Sequence, residues 1–265
     1  MKKFLNINML KNIVIGVFIL TIMFSTTVFA GNDWGLHYPK PGERPRGNAT
    51  AEYLAQFDAF FIGAEDEKVL YLTFDAGYEN NLTEGVLDTL KSHKVPAAFF
   101  LVGTYIKKHP ELVSRMVAEG HIVANHTMTH PDMSAINNKE IFVKELSQVE
   151  EHYREITGKD LPKFYRPPKG VFSEANLKLA KELGYKTIFW STAYKDWEDN
   201  NQPSKEEAFS KLIPRLVSPP EKRANAPLNT SVVALPNNFG LKIANTVLAM
   251  PKIITKSICI LNGFI

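Results

Sequence analysis

The chain is 265 residues long, which is room for one sizeable domain and a targeting segment. Its net charge of +3 comes without a basic stripe interleaved with aromatics, so the composition speaks against nucleic acid as a partner. One cysteine, Cys259, excludes an internal disulfide and has no histidine or cysteine neighbours with which to hold a metal.

The start of the chain reads as a targeting signal. Lys2, Lys3 and Lys11 precede an uncharged run, residues 13–30, that ends in the small-x-small pattern Val28-Phe29-Ala30. This is the pattern of a secretory signal peptide over residues 1–30, cut after Ala30. Left uncut, the run is near the lower limit for spanning a bilayer. Either form makes the remaining chain secreted or extracytoplasmic, with membrane contact only through an uncleaved signal segment. Residues 31–67 are expected to be a lead-in. Pro39, Pro41, Gly42, Pro45 and Gly47 interrupt regular structure there, while Trp34, Tyr38, Phe57, Phe60 and Phe61 offer faces that pack it onto the main body.

From Lys68 the pattern alternates. Residues 69–74 form an apolar strand that ends on Asp75 and Gly77, and a helix over 83–93 follows with Thr83 at its N-cap. A second strand over 96–102 leads to a helix over 109–119, and a third strand over 121–125 leads to a long helix over 138–157 that stops at Gly158. A short strand at 164–166, a helix over 173–183 and a strand over 187–190 complete the run. Strands alternating with helices of this length imply βαβ units and a parallel sheet, which a barrel and a doubly wound sheet satisfy equally. No glycine-rich phosphate loop follows a strand, so nucleotide binding has no support.

Polar residues with chemistry sit at or just after the strand ends. Asp75 follows the first strand, His126 and His130 the third, Arg166 the fourth, and Asp196 and Trp197 the fifth. Parallel strands bring such positions to one rim. The spacing of His126 and His130 places both imidazoles on one face of a helical turn, as two ligands of one metal. A metal so held polarises an amide carbonyl and acidifies a water, whose proton Asp75 can accept. Arg166, stiffened by Pro167 and Pro168, can hold the Asp75 carboxylate ionised. Taken singly, Asp75 also reads as a turn cap, the histidines as a core pair and Arg166 as a surface ion pair; the shared rim favours a site.

Four ordered stretches carry a resemblance. They are Thr73-Phe-Asp-Ala-Gly-Tyr-Glu-Asn80, Asn125-His-Thr-Met-Thr-His130, Tyr165-Arg-Pro-Pro-Lys-Gly-Val-Phe-Ser173 and Phe189-Trp-Ser-Thr-Ala-Tyr-Lys-Asp-Trp197. In order and spacing the chain resembles the NodB-homology polysaccharide deacetylases. Within them it is most similar to the branch of spore-forming bacteria that de-N-acetylates muramic acid during δ-lactam formation in cortex peptidoglycan. The resemblance implies an α/β fold, a distorted (β/α) barrel over residues 68–216, and hydrolysis of an N-acetyl group on peptidoglycan glycan strands. It implies a divalent metal, zinc, on His126 and His130. It implies Asp75 as base, Arg166 as the residue that orients it, and Asp196 as the carboxylate that tunes a general-acid histidine. The Lys169 backbone N–H takes the place of an oxyanion donor, with Tyr78 and Trp197 beside the substrate.

Two departures stand out. Ala76 occupies the position of the family's second aspartate, so the metal is expected to bind weakly. No histidine follows His152, although the family ends its barrel with a strand that supplies one. From Val217 the helix–strand rhythm stops and Glu221 is the last acidic residue. Residues 217–265 are therefore expected to be a divergent or frame-shifted tail, leaving the barrel incomplete at its C-terminal end. A glycan-binding pseudoenzyme is the alternative reading.

Overall fold

The structure is a computed structural model that describes residues 31–39, 43–63, 70–193, parts of 203–212 and, for the backbone alone, 258–262. The expected signal peptide, Asp196, Trp197 and most of the tail lie outside the described residues. The chain opens with three two-residue strands, β1 (Asn32–Asp33), β2 (Leu36–His37) and β3 (Arg46–Gly47), then helix α1 (Ala51–Ala55) and strand β4 (Ala59–Phe60). Strand β5 (Leu70–Ala76), helix α2 (Thr83–His93), strand β6 (Ala98–Leu101), helices α3 (Gly103–Lys108) and α4 (Pro110–Ala118) and strand β7 (Ile122–Asn125) follow. The long helix α5 (Lys139–Thr157), strands β8 (Phe164–Tyr165) and β9 (Val171–Phe172), helix α6 (Glu174–Glu182) and strand β10 (Lys186–Ile188) come next. Strand β11 (Ile258–Asn262) is the last described element.

Six strands run parallel in the order β5-β6-β7-β8-β10-β4, and β11 lies antiparallel on the outer edge of β5. Alternation decides which face is which. On β5, Leu72 and Phe74 are buried against Val86, Leu87 and Leu90 of α2. Phe99 and Leu101 of β6 and Val123 of β7 join that cluster. Thr73 and Asp75 take the opposite face, where Arg166, just past β8, reaches both of them. In a flat sheet, β5 and β8 would stand about 14 Å apart, more than an arginine side chain spans. The sheet is therefore rolled, as a distorted (β/α) barrel requires.

The helix ends show local and distant control side by side. Asn138 caps α5 by accepting from the Glu140 and Ile141 N–H groups, and Gly158 ends it with φ 67°. Ser173 caps α6 through the Asn176 N–H. Thr83 is not the cap of α2. Leu82 holds that position, and the Glu79 carboxylate accepts from the Leu82 and Thr83 N–H groups at 2.8 and 3.3 Å. Helix α3 was not legible in the sequence. Its first N–H groups, at Gly103 and Thr104, are satisfied by the carbonyls of Thr127 and Met128, far along the chain.

Residues 31–67 are more regular than a proline-rich lead-in. The prolines and glycines fall around the short β2–β3 pairing, and beyond Gly47 the chain builds α1 and β4, which pairs in parallel with β10. Trp34 is buried, with its ring 4.7 Å from Phe189 and 4.9 Å from Phe61, and its Nε1 donates to the Trp190 carbonyl at 2.9 Å. Phe57 and Phe61 are buried in the same cluster, whereas Phe60 is exposed. At the other edge, β11 pairs from Ile258 opposite Phe74 to Asn262 opposite Leu70. The outer edge of β5 is thus paired among the described residues, and the incompleteness expected at the C-terminal end of the barrel is not shown there.

If the lead-in is part of the cooperative unit, Trp34→Ala should cost about 3–5 kcal/mol, as for other buried aromatic truncations. Urea unfolding checks this, and a loss below about 1 kcal/mol would mean that residues 31–63 detach independently.

Candidate active site

The Arg166 side chain is wholly buried, and its neighbours are arranged to receive a guanidinium. Nη1 donates to Asp75 Oδ1, Nη2 to Thr73 Oγ1 at 3.0 Å and to the Phe189 carbonyl at 3.4 Å, and Nε to the Ile188 carbonyl at 2.9 Å. The plane lies over the Phe100 ring, 4.0 Å from its centroid, with Trp190 at 5.8 Å. A buried charge is tolerated when it is paired and hydrogen-bonded, and Arg166 has a counter-charge and four hydrogen bonds. This is not a surface ion pair. The guanidinium takes Oδ1 of Asp75 and leaves Oδ2 facing the histidines.

His126 and His130 do come together, with ring centroids 4.9 Å apart, but not on a helical turn. Residues 126–130 form an irregular loop in which Thr127 and His130 adopt left-handed backbone at φ 68° and 60°. His126 Nδ1 lies 2.8 Å from the Arg166 carbonyl oxygen, which can only accept. The ring therefore donates from Nδ1, and Nε2 is an unprotonated acceptor 3.9 Å from Asp75 Oδ2. Burial lowers the His126 pKa despite the attraction of Asp75. Burial, and then the neighbouring His126, push His130 down to about 4. Two neutral imidazoles thus lie side by side next to this carboxylate, and imidazole nitrogens suit a divalent cation.

A third protein ligand is another matter. Among the described residues, no group of three or more His, Cys, Asp or Glu is placed to hold an ion. Ala76 packs against the helix-side cluster. Asn125 also faces the helices rather than the rim, and its Oδ1 is taken by the Thr127 N–H at 2.9 Å. Among the described residues, the two imidazoles are the donors that fit such an ion.

Lys169 lies in a tight turn, Pro168–Gly170, with φ 58°, and its charge acts on His130. Gly170 follows at φ 72°. A Cβ there would meet the Trp190 ring at 2.5 Å, so the close approach of this turn to Trp190 and Trp34 needs glycine. Tyr78, 57% exposed, stands just past the end of β5. Sequence reading missed Thr73, Phe100 and Trp190 around the guanidinium. The inward alternation of Thr73 with Asp75 was the one available signal.

The chain matches the Polysaccharide deacetylase family over residues 62–188. It is 44% identical to the peptidoglycan-N-acetylmuramic acid deacetylase PdaA of Bacillus subtilis over 182 residues, 68% of this chain and 69% of that one. The solved structure of Bacillus subtilis PdaA, a family 4 carbohydrate esterase, superposes with a TM-score of 0.68 at 36% identity, covering 84% of this chain and 92% of that one. A family 4 carbohydrate esterase from Bacillus anthracis superposes with a TM-score of 0.54 at 37% identity, covering 75% and 95%. With the rolled parallel sheet and a rim that gathers Asp75, His126, His130 and Arg166, these likenesses place the chain in the polysaccharide deacetylase family.

Proposed function

We propose that this chain removes N-acetyl groups from peptidoglycan, that its sugar is N-acetylmuramic acid, and that it works outside the cytoplasm in forming the δ-lactam of spore cortex. The observation that carries the reading is the Asp75 carboxylate. One of its oxygens is fixed on a buried guanidinium, and the other faces His126 Nε2 across 3.9 Å. The similarity to PdaA supports the sugar.

The proposed roles follow from the geometry. His126 and His130 hold a divalent ion, which we take to be zinc; when bound, it supplies polarisation of the acetyl carbonyl and a more acidic water. Arg166 keeps Asp75 ionised and turned, so that Oδ2 receives the proton of the attacking water. A new C–O bond forms at the acetyl carbon, the C–N bond breaks, and acetate and a free amine leave. The amine must gain a proton. We assign its return to Asp75, which has just taken one. The Lys169 backbone N–H and the exposed Tyr78 ring are assigned to the oxyanion and the sugar. Trp197 is assigned to the sugar, whereas Asp196 lacks in this sequence the histidine that the resemblance gives it to tune; both lie outside the described residues. A glycan-binding pseudoenzyme is the second reading, favoured by the absence of a third His, Cys, Asp or Glu ligand among the described residues. Acetate release from peptidoglycan, against binding without release, separates the two.

Asp75→Asn should lower acetate release by about 10²-fold or more, because the amide cannot take the proton. It should also destabilise the protein. Arg166 would remain buried without its counter-charge, at a cost of about 3 kcal/mol, the lower end for broken buried pairs because Asp75 is partly exposed. Near-full activity with an unchanged melting curve would make Asp75 a turn residue.

His126→Ala should reduce the bound divalent metal of the purified protein. Equal metal content in wild type and variant would remove the metal from the reading.

A further inference from the structure

Asn125 closes β7 on the helix side of the sheet, and its side chain is fully buried. Nδ2 donates to the Leu146 carbonyl at 2.9 Å and to the Tyr185 hydroxyl at 2.8 Å, while Oδ1 accepts the Thr127 N–H at 2.9 Å. A carbonyl only accepts and a backbone N–H only donates, so one orientation of the amide satisfies all three. Tyr185, 1% exposed, accepts a hydrogen bond from Asn125 and donates its own to its other partner, Glu150 Oε1 on α5. Lys163 Nζ donates to the same oxygen at 2.6 Å and lies 4.5 Å from the Tyr185 ring centroid. The direction of every bond is fixed, from the loop after β7 to the outer surface of α5.

The inner end of this chain is strained. Thr127 is β-branched and sits at φ 68°, a conformation that persists only when its surroundings over-determine it. Asn125 pins its N–H, and its own hydroxyl accepts the His130 N–H at 3.0 Å. The Tyr185 hydroxyl and the Leu146 carbonyl together hold the Asn125 amide, and through it Thr127 and His130. We propose that Asn125, Tyr185 and Glu150 are positioning residues, a tether by which α5 holds the His126–His130 loop in register with Asp75. This rests on reading that loop as part of the active site.

The tether differs from a merely stabilising network in what it moves. Tyr185→Phe removes the relay. Glu150→Leu removes its acceptor, whereas Glu150→Gln loses the charge but still accepts from Tyr185. Two measurements are compared with the melting temperature: hydrogen exchange of the backbone at residues 126–130, and kcat and KM for acetate release from peptidoglycan. We expect Tyr185→Phe and Glu150→Leu to speed exchange of the loop and to lower kcat about 10-fold or more with KM within about twofold, the scale for outer partners of ligating histidines. Glu150→Gln should restore both. If Gln and Leu at position 150 behave alike, or if melting falls while loop exchange and kcat hold, the tether is wrong. Should Tyr185→Phe fail to fold, the Glu150 pair decides. A wild-type chain that releases no acetate sinks the deacetylase reading, and loop exchange alone then judges the tether: faster exchange restored by Gln supports it, and unchanged exchange overturns it.

Discussion

The fold depends on accommodating one buried guanidinium. Arg166 presents five N–H donors in a fixed fork. Four of them bond to acceptors on β5, at Thr73 and Asp75, and at the end of β10, at Ile188 and Phe189. Its backbone adds two more ties: the N–H donates to the Asn125 carbonyl at 3.0 Å, and the carbonyl accepts from His126 Nδ1. Unrolling the sheet would strand a charge in an apolar interior, at a cost of several kcal/mol. Curvature and site electrostatics are therefore one constraint. Lysine could not replace the residue, because an ammonium has no planar fork to span two strands.

Three of the six non-glycine left-handed positions among the described residues lie around the same point. Thr127, His130 and Lys169 all hold left-handed backbone without being glycine, and all three border the Asp75 carboxylate or the histidine pair. Each such residue costs on the order of 1 kcal/mol or more, so the surroundings must impose it. The imposition is visible. Asn125 and Glu145 hold Thr127 and Thr129 by their N–H groups, and the Thr127 and Met128 carbonyls cap α3. A helical turn would satisfy the backbone locally but would not aim both rings at Asp75. The loop gives up local regularity to do so.

That trade explains what could be read in the sequence. Alternating strands and helices, the Gly158 stop and the order of the polar strand ends were legible because they are set by nearby residues. The His126–His130 pair was legible as a pair, but its geometry was not, since the left-handed turns depend on partners far along the chain. Helix α3 was hidden for the same reason: its N-terminus is capped from the histidine loop. Strand β4 was hidden by its length, two residues with a buried Ala59 and an exposed Phe60. The role of Asn125 lay in the wrong direction for a sequence reader. Being next to His126 suggests a ligand, whereas strand alternation turns it toward the helices.

The same alternation bears on Ala76. Along β5, Thr73 and Asp75 face Arg166, and Phe74 and Ala76 face the helix-side cluster. The ladder to β6 continues through Ala76 opposite Leu101, and the Ala76 carbonyl accepts from the Val102 N–H at 3.0 Å. So long as β5 stays extended to this point, residue 76 is directed at apolar side chains. A carboxylate there would have to leave that cluster, or end the strand one residue early, to meet the imidazoles. Alanine suits the backbone as it stands, with no buried charge to compensate. The two-imidazole donor set is thus a consequence of how far β5 runs, and not only of which residue occupies position 76.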